Sequence, residues 1–117
     1  MGVKIDQIRP GKKDTKPQKD DIVSIHLVLK LMDGVIVSDS REQDSDLGGE
    51  PLRFFVGRGN VIRGLDEALP RISLGEIVRM IVSPDFGYGS KGFHPSVPPN
   101  ATLLLEVELL EINGAIP

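Results

Sequence analysis

At 117 residues, 39% of them hydrophobic and 26% charged, the chain suits one globular domain that would bury about 65% of its unfolded surface on folding. A formal net charge of -3 gives no basis for a nucleic-acid or acidic-membrane partner. The lack of cysteine excludes disulfides, a thiolate zinc site and a cysteine nucleophile, and no apolar run reaches the roughly eighteen residues of a membrane span.

The N-terminus, MGVKIDQIRPGKK, has no apolar stretch of the kind a secretory signal needs. Asp6 stands where N-myristoylation requires Ser or Thr. Val3, Ile5 and Ile8 predict a short edge strand. Residues 9–21, RPGKKDTKPQKDD, form an exposed connection, with Lys12, Lys13, Lys16 and Lys19 interleaved among Asp14, Asp20 and Asp21 as a solvated surface. Ile22 to Met32 reads as a long strand with Val23, Ile25, Leu27, Leu29 and Leu31 alternating onto one face. Asp33-Gly34 is a hairpin signal, and VIVS resumes the strand pattern at Val35. Residues 38–51, SDSREQDSDLGGEP, are polar and predict a surface loop, followed by a strand over 52–56, LRFFV.

The only helix expected runs from Ile62 to Leu69, about two turns, with Ile62, Leu65, Ala68 and Leu69 on one face and Pro70 as its stop. EIVRMIV, 76–82, is a strand closed by Ser83-Pro84-Asp85, and a Gly- and Pro-rich loop covers 86–99. The sequon Asn100-Ala101-Thr102 reads as a turn entering the last strand, 101–112. There Leu103, Leu105, Val107 and Leu109 share one face, with Glu106, Glu108 and Glu111 breaking up the other. Five or six strands and one short helix make an α+β fold, an antiparallel sheet with one face buried against the helix.

The segment GRGNVIRG, 57–64, tests for a phosphate loop and fails. Gly57, Gly59 and Gly64 leave four residues before the third glycine, and the lysine-hydroxyl pair of a P-loop is missing. No HExxH or GxSxG motif supplies a metalloprotease or hydrolase alternative.

Taken in order, GVKIDQIRPG, DGVIVSDSR, FFVGRGNVIRGLDEAL, LGEIVRMIVSPDFGYG and the VPPNATL entry to the last strand carry a family resemblance. Over nearly its whole length the chain resembles the FKBP family of immunophilins, the drug-binding peptidyl-prolyl cis-trans isomerases. The resemblance implies a twisted antiparallel sheet of five or six strands wrapping one short helix, as a single domain over 1–117, either whole or the first of a longer protein. It implies isomerisation of X–Pro bonds without cofactor or metal.

The resemblance also assigns residues. Ile62 matches the family position whose backbone N–H meets the substrate carbonyl, and Tyr88 the tyrosine whose hydroxyl contacts ligand. Val61, Phe54 and Val97 match pocket positions, and Phe86 another aromatic position. The rest of the family's aromatic cup is replaced. Leu27 stands for the wall tyrosine, and Val37-Ser38 for a Phe-Asp pair. Leu65 stands for the floor tryptophan, Leu105 for the last-strand phenylalanine, and Leu52 falls at or near another wall phenylalanine. The expected pocket is therefore Leu27, Val37, Ser38, Phe54, Val61, Ile62, Leu65, Tyr88, Val97 and Leu105, with Tyr88 and Ile62 as its working groups.

Losing aromatic contacts, each worth about 0.5–1.5 kcal/mol, predicts weakened isomerase activity and poor binding of tacrolimus or rapamycin. The alternative is a catalytically silent protein-binding or chaperone module using loops 38–51 and 86–99. Core packing explains Leu27, Val37, Leu65 and Leu105 equally well. His26 is expected to be structural, and His94 to be an exposed loop residue. The implied partners are proline-containing peptides or proteins, for a monomer without nucleic-acid or membrane contact. The cytoplasm, with the nucleus as a second location, is the expected compartment.

Overall fold

The computed structural model describes residues 2–42 and 48–117. Six strands, β1 (Val3–Arg9), β2 (Ile22–Leu31), β3 (Ile36–Asp39), β4 (Leu52–Phe55), β5 (Ile77–Val82) and β6 (Leu103–Ile112), build one sheet. The order is β1-β5-β6-β2-β3, every pairing antiparallel, with β4 also on β2. β6 pairs with β2 from Val23 to Leu31, so β3 and β4 share the other flank of β2. β4 takes Ile22 to Ile25 and β3 takes Val28 to Lys30. The expected α+β architecture is the observed one.

Alternation of branched apolar residues drives the long strands. Val23, Ile25 and Leu29 of β2 meet Leu103, Leu105, Val107 and Leu109 of β6 on the buried face. The alternation shifts near the end of β6, where Ser24 pairs with Glu111 but Ile25 with Leu109. The extra residue is a bulge, and it turns Ile112 inward. A second irregularity falls between Gln7 and Arg9 in β1 and leaves Ile8 46% exposed, whereas Val3 and Ile5 pack on the core.

The helix is shorter than expected: α1 covers Arg63–Ala68. Pro70 does not stop the chain's coiling; a 3-10 turn, Leu69–Arg71, carries the proline in its first positions, where a missing N–H costs nothing. Leu65, Ala68 and Leu69 close over the sheet as the helical spacing required. Gly64 permits the close approach, because a Cβ there would lie 2.7 Å from Val82 Cγ1 and 3.1 Å from Val3 Cγ2. The loop expected over 38–51 begins later, since Ser38 and Asp39 belong to β3, and residues 43–47 of it lie outside the described residues. Asn100, at φ 58°, turns the chain toward β6, its N–H bonded to the Gly89 carbonyl at 2.9 Å.

Candidate functional site

Between α1 and the concave face of the sheet lies a cavity of 190 Å³. β2 contributes Leu27 and Leu29, β4 Leu52, β6 Leu105 and α1 Leu65. The turn before α1 adds Asn60, Val61 and Ile62, and the loop after β5 adds Tyr88. Two wider concavities lie elsewhere, one of 350 Å³ beside Glu67 and Arg71, the other of 300 Å³ beside Met32 and Asp33. Size does not choose among them. The smaller one is distinguished by aliphatic walls drawn from several elements and closed by a few polar groups, which is how ligand sites are built.

The glycine turn sets one side of this cavity. Gly57 and Gly59 take φ of 80° and 71°, conformations costly for any residue with a Cβ. Their N–H groups both donate to one carboxylate on α1: Gly57 to Asp66 Oδ1 at 2.6 Å and Gly59 to Asp66 Oδ2 at 3.1 Å. The turn that resembled a phosphate cradle is thus occupied by the protein's own anion. Asp66 pins it to the helix and delivers Asn60-Val61-Ile62 to the cavity.

Ile62 is the residue at the helix entrance, extended at φ -57°, ψ 147°. Its carbonyl accepts from Asp66 N–H at 3.1 Å, while its own N–H has no acceptor among the described residues. Tyr88 is half-buried and packs against Phe93 with ring centroids 5.3 Å apart. Burial raises the Tyr88 hydroxyl's pKa, so it stays protonated at neutral pH. No protein group among the described residues hydrogen-bonds it. Two free donors therefore border an aliphatic hollow.

Of the expected pocket residues, Leu27, Val61, Ile62, Leu65, Tyr88 and Leu105 come together around this cavity. Four do not line it. Phe54 lies opposite Val23, one alternation beyond Leu52, and is 6% exposed within the core. Val97 is 2% exposed and is tied to Phe93 by a pair of backbone hydrogen bonds. Val37 is the extra residue of a bulge, since Leu29 opposes Ser38 and Lys30 opposes Ile36; it packs on the core from the sheet edge. Ser38 is exposed on that edge strand.

Leu29, Leu52 and Asn60 line the cavity and were not among the expected pocket residues, although Leu52 was matched at or near a wall position. Leu29 follows Leu27 in the same alternation, so the signal for it was present. Asn60 gave none beyond its place before Val61-Ile62.

His26 faces away from the cavity, as expected of a structural histidine. Its Nδ1 lies 3.0 Å from the Oγ of buried Ser40, which accepts the Leu27 N–H at 2.8 Å. Desolvation, then the nearby Arg41 charge, lowers its pKa, which favours the neutral ring. His94 is exposed. On the same outer face Glu108 accepts from Arg9 at 3.0 Å and Arg41 at 2.7 Å. No group of three or more His, Cys, Asp and Glu side chains among the described residues could hold a metal ion. None of the helices among them is long and apolar enough to cross a membrane.

Known proteins match the chain over nearly its whole length. Residues 13–110 match the family model for FKBP-type peptidyl-prolyl cis-trans isomerase. The chain is 47% identical over 113 residues to FK506-binding protein 1 of Yarrowia lipolytica, covering 97% of this chain and 100% of that one. It is 39% identical over 112 residues to peptidyl-prolyl cis-trans isomerase Fkbp12 of Drosophila melanogaster, covering 96% and 99%. With FK506-binding protein 1 of Dictyostelium discoideum it shares 40% identity over 110 residues, covering 94% and 97%.

Proposed function

The chain belongs to the family of FKBP-type peptidyl-prolyl cis-trans isomerases, and on that premise we propose that the leucine-lined cavity holds and turns an X–Pro bond. Such a bond resists rotation by roughly 18–20 kcal/mol, largely amide resonance. Lowering that barrier takes no nucleophile, only an environment that favours the twisted amide. An apolar cavity disfavours the charge-separated resonance form. The Ile62 N–H donates to one substrate carbonyl, the Tyr88 hydroxyl donates to another, and the aliphatic walls take the pyrrolidine ring. The observation that carries this reading is the coincidence of two unpaired donors with a cavity otherwise built from aliphatic side chains.

The same walls support reduced efficiency. Leu27, Leu52, Leu65 and Leu105 offer no ring faces to the proline. At 190 Å³ the cavity falls below the roughly 300–1,000 Å³ of sites for drug-sized ligands, which supports weak binding of tacrolimus and rapamycin. The test is cis-trans exchange of an Ala-Leu-Pro-Phe peptide, followed by NMR at rising protein concentration. Exchange should accelerate, and Tyr88→Phe should lower kcat/KM by roughly five- to tenfold, the loss of one hydrogen bond. No acceleration by a folded protein would sink the catalytic reading.

A second reading, a module that holds a protein rather than turning a bond, is favoured by one feature. Phe93 is 58% exposed on the loop 86–99, against Tyr88. In that case the loop and the segment 38–51 would grip a proline-containing client. We place the protein, as a single-domain monomer whether whole or part of a longer chain, in the cytoplasm or nucleus. Neither nucleic acid, nor membrane, nor cofactor has a part in the reading.

A further inference from the structure

Among the described residues, seven of the nine that line the cavity are aliphatic, and Asn60 and Tyr88 bring the polar side chains. Asn60 is exposed at the mouth, and its carboxamide bonds no other group among the described residues. The residue is nonetheless well placed, because the Gly59 N–H just before it is held by Asp66 at 3.1 Å. A polar side chain that supports nothing inside the protein, at the edge of an apolar cavity, is available to a ligand.

The polar groups of the substrate indicate which part it would meet. A segment X–Pro–Z presents the carbonyl of X, the carbonyl of proline and the N–H of Z, proline having no N–H of its own. The Ile62 N–H and the Tyr88 hydroxyl are donors and suit the two carbonyls. The N–H of Z then needs an acceptor, or it is desolvated at the mouth without a partner. We propose that Asn60 is a specificity-determining residue, whose Oδ1 accepts the backbone N–H of the residue after proline. The proposal rests on the reading of the cavity as the X–Pro site. It makes the enzyme favour an ordinary residue at Z over a second proline, which would present no N–H.

The test pairs Ala-Leu-Pro-Phe with its analogue carrying an ester oxygen in place of the phenylalanine N–H. Wild type should favour the amide over the ester by roughly five- to tenfold in kcat/KM, measured by exchange NMR. In Asn60→Ala the preference should fall to about twofold or less, the residue reflecting the poorer carbonyl of the ester. Asn60→Asp, which keeps an acceptor, should retain it, whereas a merely structural role would not separate the two variants. A preference undiminished in Asn60→Ala, from a protein with a native-like NMR spectrum, overturns the proposal and gives the acceptor role to the backbone. Wild type that turns over neither peptide overturns both the cavity reading and this proposal.

Discussion

Replacing Gly64 by alanine should destabilise the fold, although alanine is the better helix former. In an exposed helix the change would gain about 1 kcal/mol. Here the new methyl would sit 2.7 Å from Val82 Cγ1, 3.1 Å from Val3 Cγ2 and 3.2 Å from the Phe86 carbonyl oxygen. Neither valine can retreat easily. Val82 is fully buried, Val3 pairs with it directly across β1 and β5, and Leu103 of β6 holds it from the other side. Both are β-branched and stiff about χ1. Overpacking of this kind costs about 1–3 kcal/mol, and the rigid surroundings argue for the upper half. Subtracting the helical gain leaves a net loss of about 1–2 kcal/mol. In urea unfolding, with a mid-range slope of about 2 kcal/mol/M, the midpoint should fall by about 0.5–1 M. Because Leu65 follows directly, its neighbours at the cavity should also show amide shifts. A midpoint equal to or above wild type would refute the reasoning, since it would mean that α1 does not approach the sheet as closely as Gly64 allows.

Two further outcomes are expected. Leu27→Tyr puts a ring back on the cavity wall and should tighten tacrolimus binding about two- to tenfold by calorimetry; unchanged affinity would show that wall aromatics do not limit the site. Stability should fall as pH drops below 6.5, because the His26 pKa is lowered in the folded state and the unfolded chain takes up the proton first. Arg41 reinforces the effect of desolvation there, while Glu108, Asp39 and Glu50 oppose it. His26→Gln should flatten that part of the urea-midpoint profile. A second decline, below 4.5, should remain, because burial tends to raise the Glu108 pKa but the hydrogen bonds and charges of Arg41 and Arg9 together outweigh it and depress the pKa. A profile as steep in His26→Gln as in wild type would remove His26 from the account.

The strands were legible because alternation of apolar residues is a strong local signal, and β2 and β6 carry it over ten residues each. What alternation hides is where it slips. The bulges that turn Ile112 inward, expose Ile8 and single out Val37 depend on the partner strand, which no local pattern encodes. The same limit applies at the site. The resemblance named Leu27, Val61, Ile62, Leu65, Tyr88 and Leu105, which gather around one cavity. It also named Phe54, which shares a strand face with Leu52, and Val97 of the 86–99 loop, and both are buried in the core instead. Face follows from sequence parity; depth follows from what packs above, and that is a tertiary fact. Asn60 escaped notice because an exposed asparagine beside two glycines reads as turn chemistry alone.

The way β3 and β4 divide one flank of β2 has a consequence for how the family scaffold can vary. The chain leaves this edge of the sheet at Asp39 and returns to it at Leu52. Each half-strand is held by its own ladder to β2, so the two anchor points stay fixed whatever connects them. Lengthening a connection between fixed points costs only about 0.6 kcal/mol per doubling. Ser40 and Arg41 are still tied to the sheet, through Leu27 and Glu108, but length and composition from residue 43 to 51 are thus nearly uncoupled from its register. A lineage could rewrite this segment to suit a new client, or an engineer could splice in a binding peptide, while the machinery around Asp66 stays as it is.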